Sequence, residues 1–497
     1  MPIESTIFVG VAIYMIVMIG VGLYASKKTH SATEFMVAGR GLTTVLCTTT
    51  VIATWFGGGT MMGAAGSSYE RGMLGVIADP IGGALALFMV GFFFARLFRR
   101  LKIITVADYM DLRYGKFVAM AQTVVTVVGN VAWVGGMLVA FGLIFESLTG
   151  VPLEIGIIGG AVVIFVYTSI GGLWAVALTD FIQMIIILIG LIILFTVVLI
   201  DVGGWGAISS QLPDTTFRMT PLENTGEAWL NYFRAWVIFG LVDVSAQSLI
   251  QRVAAAKSER VAQNSFYFAS IGYLVFGMIP VTLGIIGSVT MSGLGNAEGI
   301  IPALAIEHLH PVAVAIFVGA LLAAIMSSGD SALLASASLL ARNVLPLVKP
   351  DATDKLSLLV ARLSIPLCGM LAIIVALNAR VVFDLMLDSN ILGLACIIVP
   401  FVLGVWWKKA NRLGAWAAIG TGLTAWLTTL YLAPNLPADF IGLGASFGSM
   451  VIVSLLTQKI DPPRQLRDSD GNAVEMKDRI GTLPVFGARK NGGRTEI

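Results

Sequence analysis

Apolar residues along this chain form long runs that are separated by short polar segments. Most runs contain about 20 residues or more, which is the length that an α-helix needs to cross a hydrocarbon layer about 30 Å thick. We therefore predict an all-α polytopic membrane protein with about 13 transmembrane helices. The predicted spans cover residues 6–25, 45–69, 74–98, 117–147, 153–170, 173–200, 229–250, 262–290, 311–340, 357–378, 382–406, 413–433 and 439–457.

Lysines and arginines are distributed unevenly among the polar segments. If the N-terminus is outside the cell, all but four of the 31 basic residues fall in inner loops or in the tail after residue 457. The four outer ones are Arg71, Arg218, Arg234 and Arg380. Basic residues concentrate in the cytoplasmic loops of membrane proteins. The pattern predicts an integral protein of the plasma (inner) membrane, with its N-terminus outside and its C-terminus cytoplasmic.

The composition agrees with a lipid-facing surface. Hydrophobic residues make up 57% of the chain and charged residues 12%, whereas soluble proteins have about 25% charged residues; the mean hydropathy is +0.89. The net charge is only +2 and no basic domain exists, so nucleic-acid binding is not expected. The three cysteines and three histidines form no cluster, which argues against a transition-metal site. Because an HExxH motif and clustered histidines are absent, we expect no enzyme activity.

Acidic residues occur inside the predicted spans, where a charge is costly and usually functional. They are Asp79, Asp180, Asp243, Asp330, Asp384 and Asp388. We expect no lysine or arginine at a similar depth. Unpaired acids in a membrane require a mobile cation, a proton or a cationic substrate, and this requirement predicts cation-coupled transport.

Two predicted spans contain helix-breaking features. Three consecutive glycines, residues 57–59, interrupt the second span, and each costs about 1 kcal/mol in a helix relative to alanine. Irregular backbone at this depth is tolerated where it lines protein or a water-filled cavity, and its free carbonyls could bind sodium. The alternative is a close helix-packing face. Phe239 and Gly240 give a weaker break five spans later, as an inverted-repeat transporter requires.

Hydroxyl and carboxylate oxygens cluster in the ninth span. Ser327, Asp330 and Ser331 follow an i, i+3, i+4 spacing, so they share one helix face, and Ser328 lies three residues before Ser331. Such oxygens are the ligands of hard cations. A single serine in a spanning helix more often bonds to a backbone carbonyl of its own helix, but the group with an aspartate predicts a sodium site.

Four stretches together resemble the sodium:solute symporter family. They are FMVAGRGL (35–42), ATWFGGG (53–59), YTSIGGLWAVALTDFIQ (167–183) and AIMSSGDSALLASASLLARNV (324–344). The resemblance implies a LeuT-like 5+5 inverted-repeat core that couples inward sodium movement to the uptake of a small organic solute by alternating access. The implied organisation has an extra helix and first inner loop at 1–44, a core at 45–406 with repeats 45–200 and 229–406, two further helices at 407–457 and a cytoplasmic tail at 458–497.

The resemblance also implies one or two sodium ions and no organic cofactor. The first sodium site would use the backbone carbonyls of Ala53, Phe56 and Ala324 with the hydroxyls of Ser327 and Ser328. The second site, which some members have, would use Asp180, Ser327, Asp330 and Ser331. The tail lies outside the resemblance, and we expect it to be partly disordered.

Within the family the motifs look closest to the high-affinity choline transporter branch. Trp55 and Trp133 fall where that branch places cage tryptophans, and aromatic faces attract quaternary ammonium groups. Gly83 and Ala246 stand where it carries a tyrosine and a tryptophan, so the cage would be half empty.

Asp79 and Asp243 would partly replace the missing aromatics and favour a cationic or amine-bearing solute. The predicted substrate-binding residues are Trp55, Gly57, Asp79, Trp133, Asp243 and Ala246. Either acid could instead form a structural hydrogen bond. A zwitterionic or neutral solute such as proline, and a cation channel or sensor, are the alternative functions.

Overall fold

The computed structural model describes the backbone of residues 3–378, 390–476 and 479–482, and side chains within these ranges from residue 8 onward apart from 147 and 148. The described chain is helical, which confirms the all-α prediction. The helices that we label are α1 (Ile3–Ser26), α2 (Thr44–Trp55), α3 (59–71), α4 (72–100), α5 (Val106–Tyr114), α6 (Lys116–Thr149), α7 (Leu153–Asp201), α8 (Gly226–Gly240), α9 (Gln247–Ala255), α10 (Glu259–Thr290), α11 (Ile300–His308), α12 (Pro311–Leu339), α13 (Asp354–Asn378), α14 (Ile398–Trp406), α15 (Arg412–Leu432) and α16 (Ala438–Leu456).

Helix α7 contains two of the predicted spans. Its 49 residues would extend about 74 Å at 1.5 Å per residue, more than twice the thickness of the hydrocarbon core. Gly172 divides it, with φ +57° and ψ −148°. A Cβ at this position would lie 2.5 Å from the carbonyl oxygen of Phe35. Only glycine fits this backbone and this contact, so the division falls between the predicted spans 153–170 and 173–200.

The number of spans is not confirmed. Among the described residues, eight helices are long and apolar enough to cross a membrane, or nine if the bent pair α8 and α9 counts as one span. Of these, α7 includes two predicted spans, whereas the continuous run 59–100 includes the predicted span 74–98 and the last part of the span 45–69. The predicted span 382–406 begins outside the described residues, and Asp384 and Asp388 also lie outside them.

Both predicted helix breaks are confirmed. Helix α2 ends at Trp55, and helical structure resumes near Gly59. Helix α8 ends at Gly240, a short 3-10 turn covers Val242–Ser245, and α9 begins at Gln247 with a bend of 44°.

Helix α12 lies at the centre of the helices and packs against α1, α6, α7 and α13. Every residue from Phe317 to Leu339 is buried. The surrounding helices instead present large apolar side chains outward, and Ile16, Ile189 and Leu363 are each more than half exposed. The serines and the aspartate of the ninth span therefore face protein, where polar groups find partners, while the outer helices cover them from lipid.

The described part of the tail, residues 458–476 and 479–482, contacts the helices at several points, and the prediction that the tail is partly disordered stays a prediction. Leu466 and Val474 are buried. The Arg479 guanidinium donates to the carbonyl of Val405, and the Gly481 amide donates to the carbonyl of Phe92 at 2.7 Å. These contacts satisfy backbone groups that a free tail would leave to water.

Candidate functional site

A cavity of about 130 Å³ lies between the two helix breaks. Of the six predicted substrate-binding residues, it is lined by Trp55, Asp79, Trp133, Asp243 and Ala246. Gly57 is not among its lining residues. A Cβ on Gly57 would instead face the Ser328 side chain, so this glycine belongs to the neighbouring group of predicted sodium ligands.

The Asp79 carboxylate is held by two hydroxyl groups. Thr60 Oγ1 donates to Asp79 Oδ2 at 2.7 Å, and the Tyr273 hydroxyl donates to Oδ1 at 2.5 Å. The two hydroxyl oxygens are themselves 2.6 Å apart. Both carboxylate oxygens therefore have protein partners, which is the structural hydrogen-bonding role that the sequence left open for this acid.

Tyr273 is an aromatic residue of this cavity that the sequence analysis missed. Its ring lies edge-on to Trp55 with centroids 6.1 Å apart. A Cβ at Gly83 would lie 2.9 Å from Tyr273 Cε1 and 3.2 Å from Asp79 Oδ1, so a larger side chain at this position would displace one of them. Together with Trp55, Trp133 and Phe239, Tyr273 gives the cavity four aromatic residues. Tyr273 of α10 therefore places an aromatic ring beside Gly83, one of the two positions where the sequence led us to expect a gap in the cage.

Asp243 differs from Asp79 in its surroundings. It lies in the turn between α8 and α9 and lines the cavity. Its backbone carbonyl accepts from the Ala246 amide at 3.0 Å, but its carboxylate receives no hydrogen bond from any described residue. An ionised carboxylate in an apolar cavity is costly without donors. Asp243 is thus the acid with free acceptor capacity toward a bound solute.

The cavity extends along α6 in the direction of its N-terminal end. Gln122, Asn130 and Trp133 all line it, and the eleven helical steps from Gln122 to Trp133 correspond to about 16 Å. The Oε1 atom of Gln122 is buried and has no hydrogen-bond partner among the described residues. This end of the cavity is polar, whereas its other end is aromatic.

The predicted ligands of the first sodium site lie together where the α2 break meets α12. Ser327 Oγ donates to the Ala53 carbonyl at 2.7 Å and lies 3.3 Å from the Ala324 carbonyl. Ser328 Oγ is buried without a hydrogen-bond partner among the described residues. Phe56, with φ −76° and ψ 61°, leaves the helical conformation beside them. Ser327 Oγ therefore contacts two of the predicted carbonyl ligands, and a sodium ion shared by these oxygens stays a prediction.

The predicted ligands of the second site form an adjacent buried group. The Asp330 carboxylate accepts from the Tyr167 hydroxyl at 2.5 Å and from Ser331 Oγ at 3.2 Å. Asp180 accepts from Thr50, and its other oxygen has no described partner. Ser327, in contrast, makes its contacts with the oxygens of the first site.

The model of the sodium:solute symporter family matches residues 35–422. The chain belongs to this family. It is a transporter and not an enzyme, and sodium is the ion that drives it.

Known relatives of the symporter differ in what they carry. It is 28% identical over 461 residues to the high-affinity choline transporter 1 of Caenorhabditis elegans, covering 87% of this chain and 79% of that one. It is 27% identical over 469 residues to the sodium/pantothenate symporter of Escherichia coli, covering 88% and 96%. A Na⁺-coupled sialic acid symporter in its substrate-bound outward-open state superposes with a TM-score of 0.79 at 21% identity, covering 93% and 99%. The fold is LeuT-like.

One sequence-based expectation is overturned in the core of the symporter. Arg252, counted as an inner-loop residue, is fully buried. Its Nη2 atom donates to Ser331 Oγ at 2.5 Å and lies 3.9 Å from Asp180 Oδ2. The 44° bend before α9 and the Gln251–Ser338 hydrogen bond of 2.9 Å hold this helix against α12, so the arginine reaches the acids.

Proposed function

We propose that the symporter uses inward sodium movement to take up a small solute with a positively charged nitrogen. The observation that carries the proposal is Asp243, an acceptor without described donors inside an aromatic-lined cavity. A cationic solute would neutralise this carboxylate, and the rings of Trp55 and Trp133 would cover its apolar parts. The choline transporters among the relatives are consistent with such a solute.

A nitrogen that carries N–H groups suits this cavity better than a fully methylated one. Charge-assisted N–H···O⁻ hydrogen bonds are about twice as strong as neutral ones, and Asp243 can accept them. Asp79 would act differently, since Thr60 and Tyr273 already occupy its oxygens. We assign Asp79 to positioning Tyr273 in the aromatic wall and Asp243 to charge recognition.

A second cavity favours a zwitterion as the second candidate solute. It has a volume of about 210 Å³, shares Gly59, Asp79 and Phe239 with the first cavity, and is also lined by Arg71 and Arg234. Arg234 is paired with Asp439 at 2.5 Å, whereas Arg71 donates to the Ser67 hydroxyl. A solute with an amine near Asp243 could direct a carboxylate toward these guanidinium groups.

The proposed orientation places the N-terminus outside and the C-terminus in the cytoplasm. In that orientation the 210 Å³ cavity is on the outer side and the polar end of the first cavity, at Gln122, is on the inner side. Both helix breaks lie between the two ends. The breaks in the second and seventh predicted spans support repeats at 45–200 and 229–406 that rearrange around one solute site.

Uptake into proteoliposomes tests the solute class. Choline, primary amines, glycine betaine, proline and pantothenate would be compared in sodium and in potassium buffers of equal ionic strength. We expect the highest affinity for a solute with a positive nitrogen, and only in sodium. If pantothenate, or another solute without a positive nitrogen, were taken up with the highest affinity, the proposed solute class would be wrong.

Trp133→Ala is expected to weaken solute binding by about 1–3 kcal/mol, because a desolvated cation–π contact contributes about 2 kcal/mol and the ring also excludes water. The measurement is the dissociation constant of the best solute at saturating sodium. Trp205→Ala provides a matched control, since Trp205 packs against Phe217 and does not line the cavity. Equal affinity in wild type and Trp133→Ala would remove this residue from the site.

Ser328→Ala is expected to raise the sodium concentration for half-maximal uptake severalfold, because it removes an oxygen that has no other described partner. Ser364→Ala is a suitable control, since the buried Ser364 hydroxyl donates to the Val360 carbonyl in its own helix. Sodium dependence that matches wild type in Ser328→Ala would contradict the first sodium site.

Asp180→Asn is expected to lower the Hill coefficient for sodium toward one while the solute is still recognised. The reason is that one oxygen of the Asp180 carboxylate has no hydrogen-bond partner among the described residues and could bind an ion together with Asp330. Direct ²²Na⁺ binding at saturation gives the number of ions independently. A wild-type Hill coefficient above one that persists in Asp180→Asn would exclude the second site.

A further inference from the structure

Arg252 is a fully buried cation among the predicted ligands of the second sodium site. Besides Ser331 Oγ, its guanidinium donates to the Ser248 carbonyl at 3.1 Å, and its Nε atom has no hydrogen-bond partner among the described residues. A buried guanidinium with an unused donor is costly. It persists here because two carboxylates lie nearby.

The charges in this group do not balance. Asp180, Asp330 and Arg252 are each fully buried. Two ionised carboxylates and one guanidinium leave one net negative charge in the protein interior, and in the described chain no second lysine or arginine forms an ion pair with either acid. One bound monovalent cation would neutralise this charge.

The guanidinium already uses an oxygen that this ion would need. A serine hydroxyl oxygen has two acceptor lone pairs. At Ser331, Arg252 takes one of them at 2.5 Å, and Thr54 Oγ1 lies 3.4 Å away. Arg252 also lies beside Asp180, whose second oxygen is free.

We propose that Arg252 is a tethered counter-cation that competes with the second sodium ion for Asp180 and Ser331; this inference rests on the second sodium site of the proposed function. In the absence of that ion, the guanidinium neutralises part of the acidic group. When the ion arrives, it displaces the guanidinium from Ser331. The positive charge of Arg252 therefore sets a low sodium affinity at this site.

Displacement of Arg252 also affects the broken helix. Arg252 belongs to α9, which follows directly on the turn that carries Asp243 and Ala246. Its bond to Ser331 is one of the contacts that hold α9 on α12. The second sodium ion thus loosens a contact of the helix that begins at the solute cavity, and this links ion occupancy to the conformation of that helix.

Four variants test the charge balance in the purified, solute-free protein. Sodium affinity is measured by ²²Na⁺ binding and by the sodium-dependent rise in thermal stability, with potassium keeping the ionic strength constant. Arg252→Gln is expected to lower the second dissociation constant by about tenfold or more, since a positive charge a few ångströms away has been removed. Arg252→Lys keeps the positive charge, so its second sodium dissociation constant should stay closer to that of the wild type.

The double variant Asp180→Asn/Arg252→Gln is decisive. In Asp180→Asn the charges of Asp330 and Arg252 cancel, so the protein should no longer bind the second sodium ion. The double variant leaves Asp330 as one net negative charge, so it should bind that ion again. Arg252→Gln with unchanged or weaker sodium affinity, or a double variant no better than Asp180→Asn, would overturn the inference. If Arg252→Gln does not fold, the double variant decides alone. If uptake by the wild-type protein did not depend on sodium, the proposed function itself would be refuted.

Discussion

Asp243→Asn is expected to weaken the binding of a cationic solute by about 2–5 kcal/mol, the range for removing one partner of a buried, hydrogen-bonded charge pair. This corresponds to a dissociation constant at least about 30-fold higher. The amide has nearly the same size as the carboxylate, so the cavity should keep its shape. The measurement is solute affinity at saturating sodium, and neutral solutes should lose much less affinity than cations.

Asp79→Asn is the matched comparison, because it makes the same chemical change in the same cavity. Asp79 accepts two hydrogen bonds from protein hydroxyls, and an amide NH₂ group would face one of those donors. We therefore expect Asp79→Asn to reduce thermal stability more than Asp243→Asn does. If Asp79→Asn removes cation affinity while Asp243→Asn preserves it, the counter-charge has been assigned to the wrong acid.

The sequence predicted the features that depend on local patterns. The glycine run at 57–59 and the serine–aspartate group on α12 are each contiguous in the chain. The helix break follows from the glycines themselves, and the shared face of the serines and the aspartate follows from the helical period. Gly172 separates two apolar runs, and the structure explains that boundary by a positive φ. In each of these places the decisive information lies within a few residues.

The side chains that meet across helices were not predictable in this way. Tyr273 belongs to an apolar span without an acid, and its bond to Asp79 joins positions 194 residues apart. A buried tyrosine generally needs a hydrogen-bond partner, which was the available signal. Arg252 followed a span in the hydropathy pattern, so it was counted as a loop residue, and hydropathy does not encode the 44° bend that directs it inward.

The α2 break connects the solute cavity with the first proposed sodium site. The Trp55 carbonyl lies within 3.4 Å of the Tyr273 hydroxyl and 3.3 Å of Thr60 Oγ1, the two groups that hold Asp79. Two residues earlier, the Ala53 carbonyl accepts from Ser327. A sodium ion that orders this backbone would also order the Trp55 ring and so raise the affinity for the solute. Because binding is reciprocal, the solute would raise the affinity for sodium by the same factor.

Gly57→Ala is therefore expected to have a large effect on sodium dependence. The new methyl carbon would overlap the Ser328 hydroxyl and lie 3.2 Å from the Ala324 carbonyl oxygen, so it would occupy the space between two proposed sodium ligands. We expect the sodium concentration for half-maximal uptake to rise by about tenfold or more, which corresponds to about 1.4 kcal/mol, or sodium-driven uptake to be lost.

Gly58→Ala is the control for this steric argument. The same change one residue later would place the methyl carbon 3.6 Å or more from its nearest neighbours, Ile325 and Met137, which is ordinary van der Waals contact. Both substitutions favour helix over unwound backbone by about 1 kcal/mol, so this effect is common to the pair. Only Gly57→Ala should shift the sodium dependence strongly. Equal shifts in the two variants would show that the break acts through its flexibility, and the first sodium site would then lack its structural support at Ser328.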